Sequence, residues 1–304
     1  MSETTKRLIS AIVIGVGFLF IFLYRDIFYL QLYFFALFIF FTGSREFYQF
    51  SVREDSRPFR LTGYIFGAII ISIYYLQFLS QQSRVPAPES LRTIGSFLDT
   101  PGLDSIAGTF VFFFIVTWFL QITTRQLDGA IFSVTSTIAG VLYCGVTIAH
   151  FFFLLVFPFG EFYVFFVCLV TIMCDAGAYF AGRWFGSHPA GLKISPKKTW
   201  EGYAGGILTS IAFGLLTILA FEKFTNTKMP ISYFEGAILA LVLAIISIVG
   251  DLAESSMKRD AKIKDSGGII PGHGGVLDLA DALIFTIPTL YYYIKFKSLL
   301  GFAV

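Results

Sequence analysis

Long apolar runs dominate the chain from Leu8 to Phe296, and short polar segments separate them. A helix needs about 20 apolar residues to cross a bilayer, with a working range of about 17–25. The pattern therefore predicts an all-α, polytopic integral membrane protein with about nine transmembrane helices. The predicted helices cover residues 8–24, 27–43, 61–80, 106–122, 130–157, 162–184, 203–221, 234–250 and 282–296. The fifth run is long enough to tilt or to break within the membrane.

The composition agrees with this fold class and excludes a soluble enzyme. The 304 residues are 56% hydrophobic, 18% aromatic and only 14% charged, whereas a soluble domain carries roughly 25% charged residues. A β-barrel would instead show alternating segments of about 10 residues. The net charge of +2 gives no indication of nucleic-acid binding. Three cysteines without CxxC spacing indicate neither a disulfide framework nor a zinc site.

The distribution of positive charge predicts how the chain crosses the membrane. Fifteen of the 22 Lys and Arg residues lie at the N-terminus or in the loops after even-numbered helices, and such an excess marks the cytoplasmic side. We therefore expect the C-terminus on the opposite side. The chain divides into residues 1–105, with N-terminal transmembrane helices and an external loop, and residues 106–304, which include the polar loops 187–202 and 251–281.

Acidic residues occur in two pairs that bracket a glycine-rich segment. Asp251 and Glu254 end the eighth apolar run, and Asp278 and Asp281 precede the ninth. The i, i+3 spacing of each pair places both carboxylates on one face of a helix, and carboxylate oxygens are ligands that magnesium prefers. Helix capping at the membrane interface is the alternative interpretation. Two such pairs around one loop of glycines and cations favour a metal site.

Cations and glycines in the two polar loops are candidates for binding phosphate. Lysines bind phosphates as point charges, and glycine lets backbone N–H groups approach a phosphate closely. A flexible turn, or the ordinary positive charge of a cytoplasmic loop, is the alternative. The candidate residues are Lys197, Lys198, Arg259, Lys264, His273, Gly274 and Gly275.

The sixth apolar run contains an isolated acidic residue, Asp175. Ionisable residues within a membrane are costly and are functional candidates by default. Pairing to Arg183 or a position near the membrane interface is the alternative. The spacings Gly182-xxx-Gly186 and Gly202-xxx-Gly206 predict close helix packing rather than chemistry.

Three stretches of the chain resemble the phosphatidate cytidylyltransferases, also called CDP-diacylglycerol synthases. The longest runs from Ser256 to Asp281 and includes Pro271-Gly272-His273-Gly274-Gly275; the others are Cys174–Tyr179 and Ser195–Gly202. Two positions depart from the family pattern. Leu279 stands where the family usually has Arg or Lys, and Cys174 stands where it usually has Ser.

The resemblance implies an enzyme that transfers the cytidylyl group of CTP to phosphatidate, giving CDP-diacylglycerol and pyrophosphate in phospholipid biosynthesis. It implies that Mg²⁺, with a second monovalent or divalent cation as a further candidate, binds Asp251, Asp278 and Asp281. Lys264 and His273 join these aspartates as catalytic residues. The expected role of His273 is to donate a hydrogen bond to a phosphate rather than to act as a base. The nucleotide phosphates are assigned to Lys197, Lys198, Arg259, Gly274 and Gly275.

The expected surroundings follow from the same resemblance and from the charge distribution. CTP, phosphatidate and membrane lipid are the expected partners, nucleic acid is not, and a homodimer is a candidate assembly. We expect the protein in a bacterial inner membrane, with its site facing the cytoplasm. A phosphomonoester has its second pKa near 6, so the attacking phosphate is anionic at neutral pH and needs no strong base. Positioning and charge neutralisation would then supply most of the rate.

Three other functions remain open at this point. A transporter would place ionisable groups near mid-membrane on broken helices, whereas most here lie in loops. A CTP-dependent lipid kinase is a second alternative, and a catalytically inactive relative, indicated by Leu279, is the third. The Asp-Gly-x-x-Ala-Arg motif of CDP-alcohol phosphotransferases is absent.

The charge distribution makes a prediction about sidedness. Single cysteines introduced between Asp251 and Asp281 should be labelled by an impermeant reagent from the cytoplasmic face, and a cysteine at Val304 from the opposite face. Labelling in right-side-out and inverted vesicles measures this. Labelling of both positions from one face would contradict the predicted topology.

Overall fold

A computed structural model of the chain describes residues 29–83, 85–263, 266–268 and 274–302. Helices dominate these residues, which form no sheet, and the all-α prediction is confirmed. An isolated antiparallel bridge joins Pro189 to Thr199. The helices are α1 (Leu30–Phe50), α2 (Arg60–Gln81), α3 (Glu89–Leu98), α4 (Ser105–Thr124), α5 (Ala130–Leu154), α6 (Gly160–Phe185), α7 (Trp200–Thr225), α8 (Tyr233–Asp260) and α9 (Leu277–Leu299).

Six helices in the described ranges, α2 and α4 to α8, are long and apolar enough to cross a membrane. They correspond to the third to eighth apolar runs. Helices α1 and α9 overlap the second and ninth runs and are not among the six. The predicted first helix, residues 8–24, lies outside the described residues. The polar segment after the third run, predicted as a loop, contains the short helix α3.

The fifth run, which is long enough to tilt or to break, forms one helix that contains an irregular segment. Residues Leu142–Val146 form a π-helical segment inside α5. In a π-helical turn each N–H bonds five residues back, which locally widens the helix. Phe40 of α1 packs beside this segment, because a Cβ at Gly145 would lie 3.2 Å from its ring.

The chain forms two compact units. The first comprises the described residues of Met1–Phe152 and Asp260–Ala280, and the second those of Phe153–Arg259 and Asp281–Val304. The functional boundary after residue 105 stays a prediction.

In the first unit, aromatic side chains of α1 fit against glycines of its neighbours. A Cβ at Gly67 of α2 would lie 2.0 Å from Cζ of Phe40, and one at Gly140 of α5 would lie 2.3 Å from Cε1 of Tyr48. The Tyr48 hydroxyl also donates to the Thr137 carbonyl, 3.0 Å away. Interiors packed this closely resist displacement, so α1 is held firmly against α2 and α5.

In the second unit, small residues bring α6 and α7 together. A Cβ at Gly202 would lie 3.4 Å from Cα of Gly182, and one at Gly206 would lie 2.8 Å from the carbonyl oxygen of Cys174. Small residues allow such backbone approach between membrane helices. The predicted packing role of the glycine spacings is confirmed.

Candidate active site

The loop between α6 and α7 is ordered by its own backbone. Ala190 N–H donates to the Lys198 carbonyl at 2.7 Å, and Lys198 N–H donates to the Ser195 carbonyl at 3.2 Å. Thr199 caps α7, since its hydroxyl oxygen accepts from Gly202 N–H at 3.2 Å. These contacts hold the backbone of Lys198 in place beside the beginning of α7.

A second contact ties the beginning of this loop to α7. Nδ1 of His188 lies 2.5 Å from a carboxylate oxygen of Glu201, and the His188 N–H donates to the same carboxylate. Trp200 N–H donates in turn to the His188 carbonyl at 3.0 Å. Sequence analysis did not identify this pair, because a histidine and a glutamate 13 residues apart form no recognisable motif.

Two ion pairs place lysines against the acidic pair of α8. Lys198 pairs with Asp251, and Lys258 pairs with Glu254 one helical turn away. The Glu254 side chain is only 1% exposed and that of Lys258 is 14% exposed. A carboxylate buried this deeply requires an opposite charge or hydrogen-bond donors, and here the lysine supplies the charge.

Two further aspartates extend this charged group within the second unit. Asp281 of α9 is buried, and the charges of Asp175 and Glu254 both act on its carboxyl group. Helices α8 and α9 touch beside it, because a Cβ at Gly250 would lie 2.7 Å from the Asp281 carbonyl oxygen. Asp175 also lies within electrostatic reach of Lys198.

The resulting site cluster has four carboxylates and two ammonium groups: Asp175, Asp251, Glu254, Asp281, Lys198 and Lys258. Burial lowers the pKa of Lys198, while the negative charges of Asp175 and Asp281 act in the opposite direction. The ammonium group therefore depends on the neighbouring carboxylates, more than on water, for compensation of its charge. Arg183, the alternative partner for Asp175, donates to the Tyr179 hydroxyl at 3.1 Å.

The donor set of the site cluster suits a hard divalent cation, because all of its candidate ligands are carboxylate oxygens. The carboxyl groups of the site cluster also outnumber its ammonium groups. In the conformation described, no three His, Cys, Asp or Glu side chains of the described residues are arranged to hold a metal ion. The carboxylates of Asp251 and Glu254 form ion pairs with lysines instead. A metal at Asp251 would therefore take the place that Lys198 now holds.

Asp278 has a different environment, within the first unit. Its Oδ2 accepts three hydrogen bonds: from Ser266 N–H at 3.1 Å, from the Ser266 hydroxyl at 2.7 Å and from Gly275 N–H at 2.7 Å. The Gly275 N–H predicted to bind phosphate is thus used by Asp278. Gly274 has φ of 101°, a conformation that favours glycine. The metal role of Asp278 stays a prediction.

Glu46 is a functional candidate that sequence analysis missed. It lies in α1, is 2% exposed, and accepts from Leu277 N–H at 2.8 Å and from Val276 N–H at 3.1 Å. The Ser266 hydroxyl lies 3.2 Å from its Oε2. The available signal was an acidic residue near the end of an apolar run, and its partners are more than 200 residues away in the sequence.

The other predicted residues lie as follows. Lys264 and His273 fall outside the described residues. Lys197 is exposed beside Lys198. Arg259 donates from Nε to the Ile194 carbonyl at 3.3 Å, which connects the end of α8 to the loop before α7.

These features define a class of protein: a helical membrane protein with a cluster of carboxylates and lysines from the C-terminal halves of α6 and α8, the beginning of α9 and the loop before α7. A sequence profile of the Cytidylyltransferase family matches residues 5–297, so the chain belongs to that family.

Similar proteins include three that carry the name phosphatidate cytidylyltransferase. The one from Bacillus subtilis (strain 168) is 41% identical over 140 residues, 46% of this chain and 50% of the relative. The one from Synechocystis sp. is 44% identical over 133 residues, 41% and 43% of the two chains. The one from Haemophilus influenzae is 39% identical over 138 residues, 45% and 47% of the two chains. The chain spans about half the length of the curated relatives it matches.

The buried pair of α8 yields a stability prediction. Lys258→Met removes the ammonium group that pairs with buried Glu254 and should lower the free energy of unfolding by about 3–5 kcal/mol. Adding Glu254→Gln should recover much of that loss. Chemical denaturation in detergent measures both.

The matched control is Arg53→Met, which breaks an exposed pair with Asp260 whose side chains are 55% and 71% exposed. Exposed pairs contribute about 0–1 kcal/mol. A Lys258→Met loss no larger than that of the control would contradict the compensation that we assign to Lys258.

Proposed function

We propose that this protein transfers the cytidylyl group of CTP to phosphatidate. The observation that carries the proposal is the site cluster, whose lysines and carboxylates suit a reaction between two polyanions. Membership of the Cytidylyltransferase family and the name shared by its relatives support the choice of substrates.

The reaction needs little covalent assistance from the protein. A phosphatidate phosphate oxygen attacks the α-phosphorus of CTP, and the bond from that phosphorus to the β-phosphate bridging oxygen breaks. Pyrophosphate leaves with the electron pair. Because nucleophile, electrophile and leaving group are all anionic, the barrier is dominated by charge repulsion, and catalysis consists of positioning and neutralisation.

Lys198 is the residue best placed to bind a substrate phosphate. It pairs with Asp251 and is within reach of the charges on Asp175 and Asp281. A phosphate group would draw Lys198 away from Asp251, and Asp251 would then need a new cation. This exchange couples the binding of the nucleotide to the binding of a metal ion.

Magnesium is the metal that we propose for Asp251 and Asp281, with Asp278 as the further ligand that the family resemblance implies. When bound, the ion would shield the phosphates from one another and stabilise charge on the departing pyrophosphate. A second cation stays a prediction, as does a homodimer.

We further propose that the site faces the cytoplasm from a bacterial inner membrane. CTP is a water-soluble polyanion, whereas phosphatidate stays in one leaflet of the membrane. Both substrates can reach a site at the membrane interface. Arg259 and the lysines of the site lie on the side that the positive-charge distribution assigns to the cytoplasm.

The carboxylates give the most specific prediction for activity. Asp281→Asn and Asp251→Asn should each lower turnover by at least about 10²-fold, on the scale of losing one main electrostatic stabiliser. Asp278→Asn should do the same, and Glu254→Gln should cost less. Pyrophosphate release that depends on both CTP and phosphatidate, measured with purified protein in detergent, provides the test. A chelator should abolish wild-type activity, and magnesium should restore it.

The matched control is Asp260→Asn, an exposed residue of α8, which should keep near wild-type turnover. Each variant needs a melting curve. An Asp281→Asn protein that is folded and turns over normally at limiting magnesium would contradict the metal assignment. A wild-type protein without CTP- and phosphatidate-dependent activity would contradict the proposed function itself.

A further inference from the structure

We propose that Glu46 is a positioning residue, which holds both ends of the segment from Ser266 to Leu277 and thereby fixes the start of α9. The substrate affected, CTP, rests on the proposed function. The contacts themselves belong to the first unit and do not depend on that function.

At one end of the segment, Glu46 caps α9. The first N–H groups of a helix have no partner within it, and a negative charge is favoured there. Glu46 accepts from the N–H groups of Val276 and Leu277, at 3.1 and 2.8 Å. Because Leu277 is the first residue of α9, the carboxylate sets where the helix begins and therefore where Asp278 lies.

At the other end, Glu46 and Asp278 share one hydroxyl group. Oγ of Ser266 lies 2.7 Å from Oδ2 of Asp278 and 3.2 Å from Oε2 of Glu46. Displacing the Glu46 carboxylate would therefore disturb Ser266, and through it the Asp278 carboxylate. We call these three residues the clasp.

Two glycines leave room for the clasp. A Cβ at Gly267 would lie 2.4 Å from Oε1 of Glu46, and one at Gly275 would lie 2.0 Å from Oγ of Ser266. Both distances are far below van der Waals contact, so a larger residue would push the carboxylate or the hydroxyl aside. These glycines are thus accounted for by the close approach of Glu46 and Ser266, without any bound phosphate.

Helix α1 gives the clasp a firm base. Tyr48, two residues after Glu46, packs against glycines of α2 and α5, and its hydroxyl is bonded to the Thr137 carbonyl. Glu46 is therefore not a mobile surface acid that happens to reach the segment. The packing of α1 holds the backbone near Glu46 in place, and the carboxylate is hydrogen-bonded to Val276 and Leu277.

The test is Glu46→Gln, which keeps the shape of the side chain but replaces one acceptor oxygen with a donor that faces backbone N–H groups. Amide exchange at Val276 and Leu277 reports the local opening of these bonds, and we expect it to accelerate by about tenfold or more. Because Asp278 is the further ligand that we propose for the metal bound with CTP, we also expect KM for CTP to rise by about tenfold, with KM for phosphatidate changed less than about twofold. Glu46→Asp should restore part of both effects.

Ser266→Ala tests the other end of the clasp. Its effect on KM for CTP should add little to that of Glu46→Gln in the double variant, because residues of one network are not additive. Glu54→Gln, an exposed acid in the same unit, should leave both readouts at the wild-type value.

The outcomes separate the clasp from the proposed function. If wild-type protein does not use CTP, the proposed function is wrong. Independently of that result, an unchanged rate of amide exchange at Val276 and Leu277 in Glu46→Gln would overturn the clasp. If wild-type protein is active and Glu46→Gln keeps its KM for CTP, the positioning role is wrong. Should Glu46→Gln not fold, Glu46→Asp and Ser266→Ala must each raise KM for CTP, and failure of either variant to do so overturns the proposal.

Discussion

The compensation of buried carboxylates is the constraint on which the polar part of this molecule depends. An ionised carboxylate removed from water must find opposite charge or hydrogen-bond donors. Buried Glu254 pairs with Lys258, and half-buried Asp251 pairs with Lys198. The Glu46 carboxylate accepts hydrogen bonds from two backbone N–H groups at the beginning of α9. These contacts fix the ends of helices whose remaining length is apolar.

The two kinds of compensation have different consequences. An ammonium group on a flexible stem can leave a carboxylate when a phosphate arrives, so the Lys198–Asp251 pair is exchangeable. Backbone N–H groups at a helix terminus cannot turn away, so the contacts of Glu46 are permanent parts of the fold. The exchangeable charges of the second unit are those that we propose for substrate binding, whereas Glu46 in the first unit has a structural role.

The sequence predicted much of the fold, because the length of an apolar run and the spacing of glycines are local properties. Six predicted helices and the packing of α6 on α7 follow from such patterns. The acidic pair of α8 was also identified from the sequence, because its spacing places both carboxylates on one face of a helix. Glu46 was not, because its role depends on a segment that folding alone brings to it. The use of Gly275 N–H by Asp278 escaped detection for the same reason.

The central claim is that the site cluster of the second unit binds the triphosphate of CTP together with a divalent ion. The most direct measurement is an anomalous diffraction map of crystals grown with Mn²⁺ and a non-reactive CTP analogue. We predict a manganese peak within about 2.5 Å of carboxylate oxygens of Asp281 and Asp251, the distance range of oxygen-bound divalent cations. Lys198 should have turned from Asp251 to a phosphate. Nucleotide and metal bound together elsewhere, with the Lys198–Asp251 pair intact, would contradict the account.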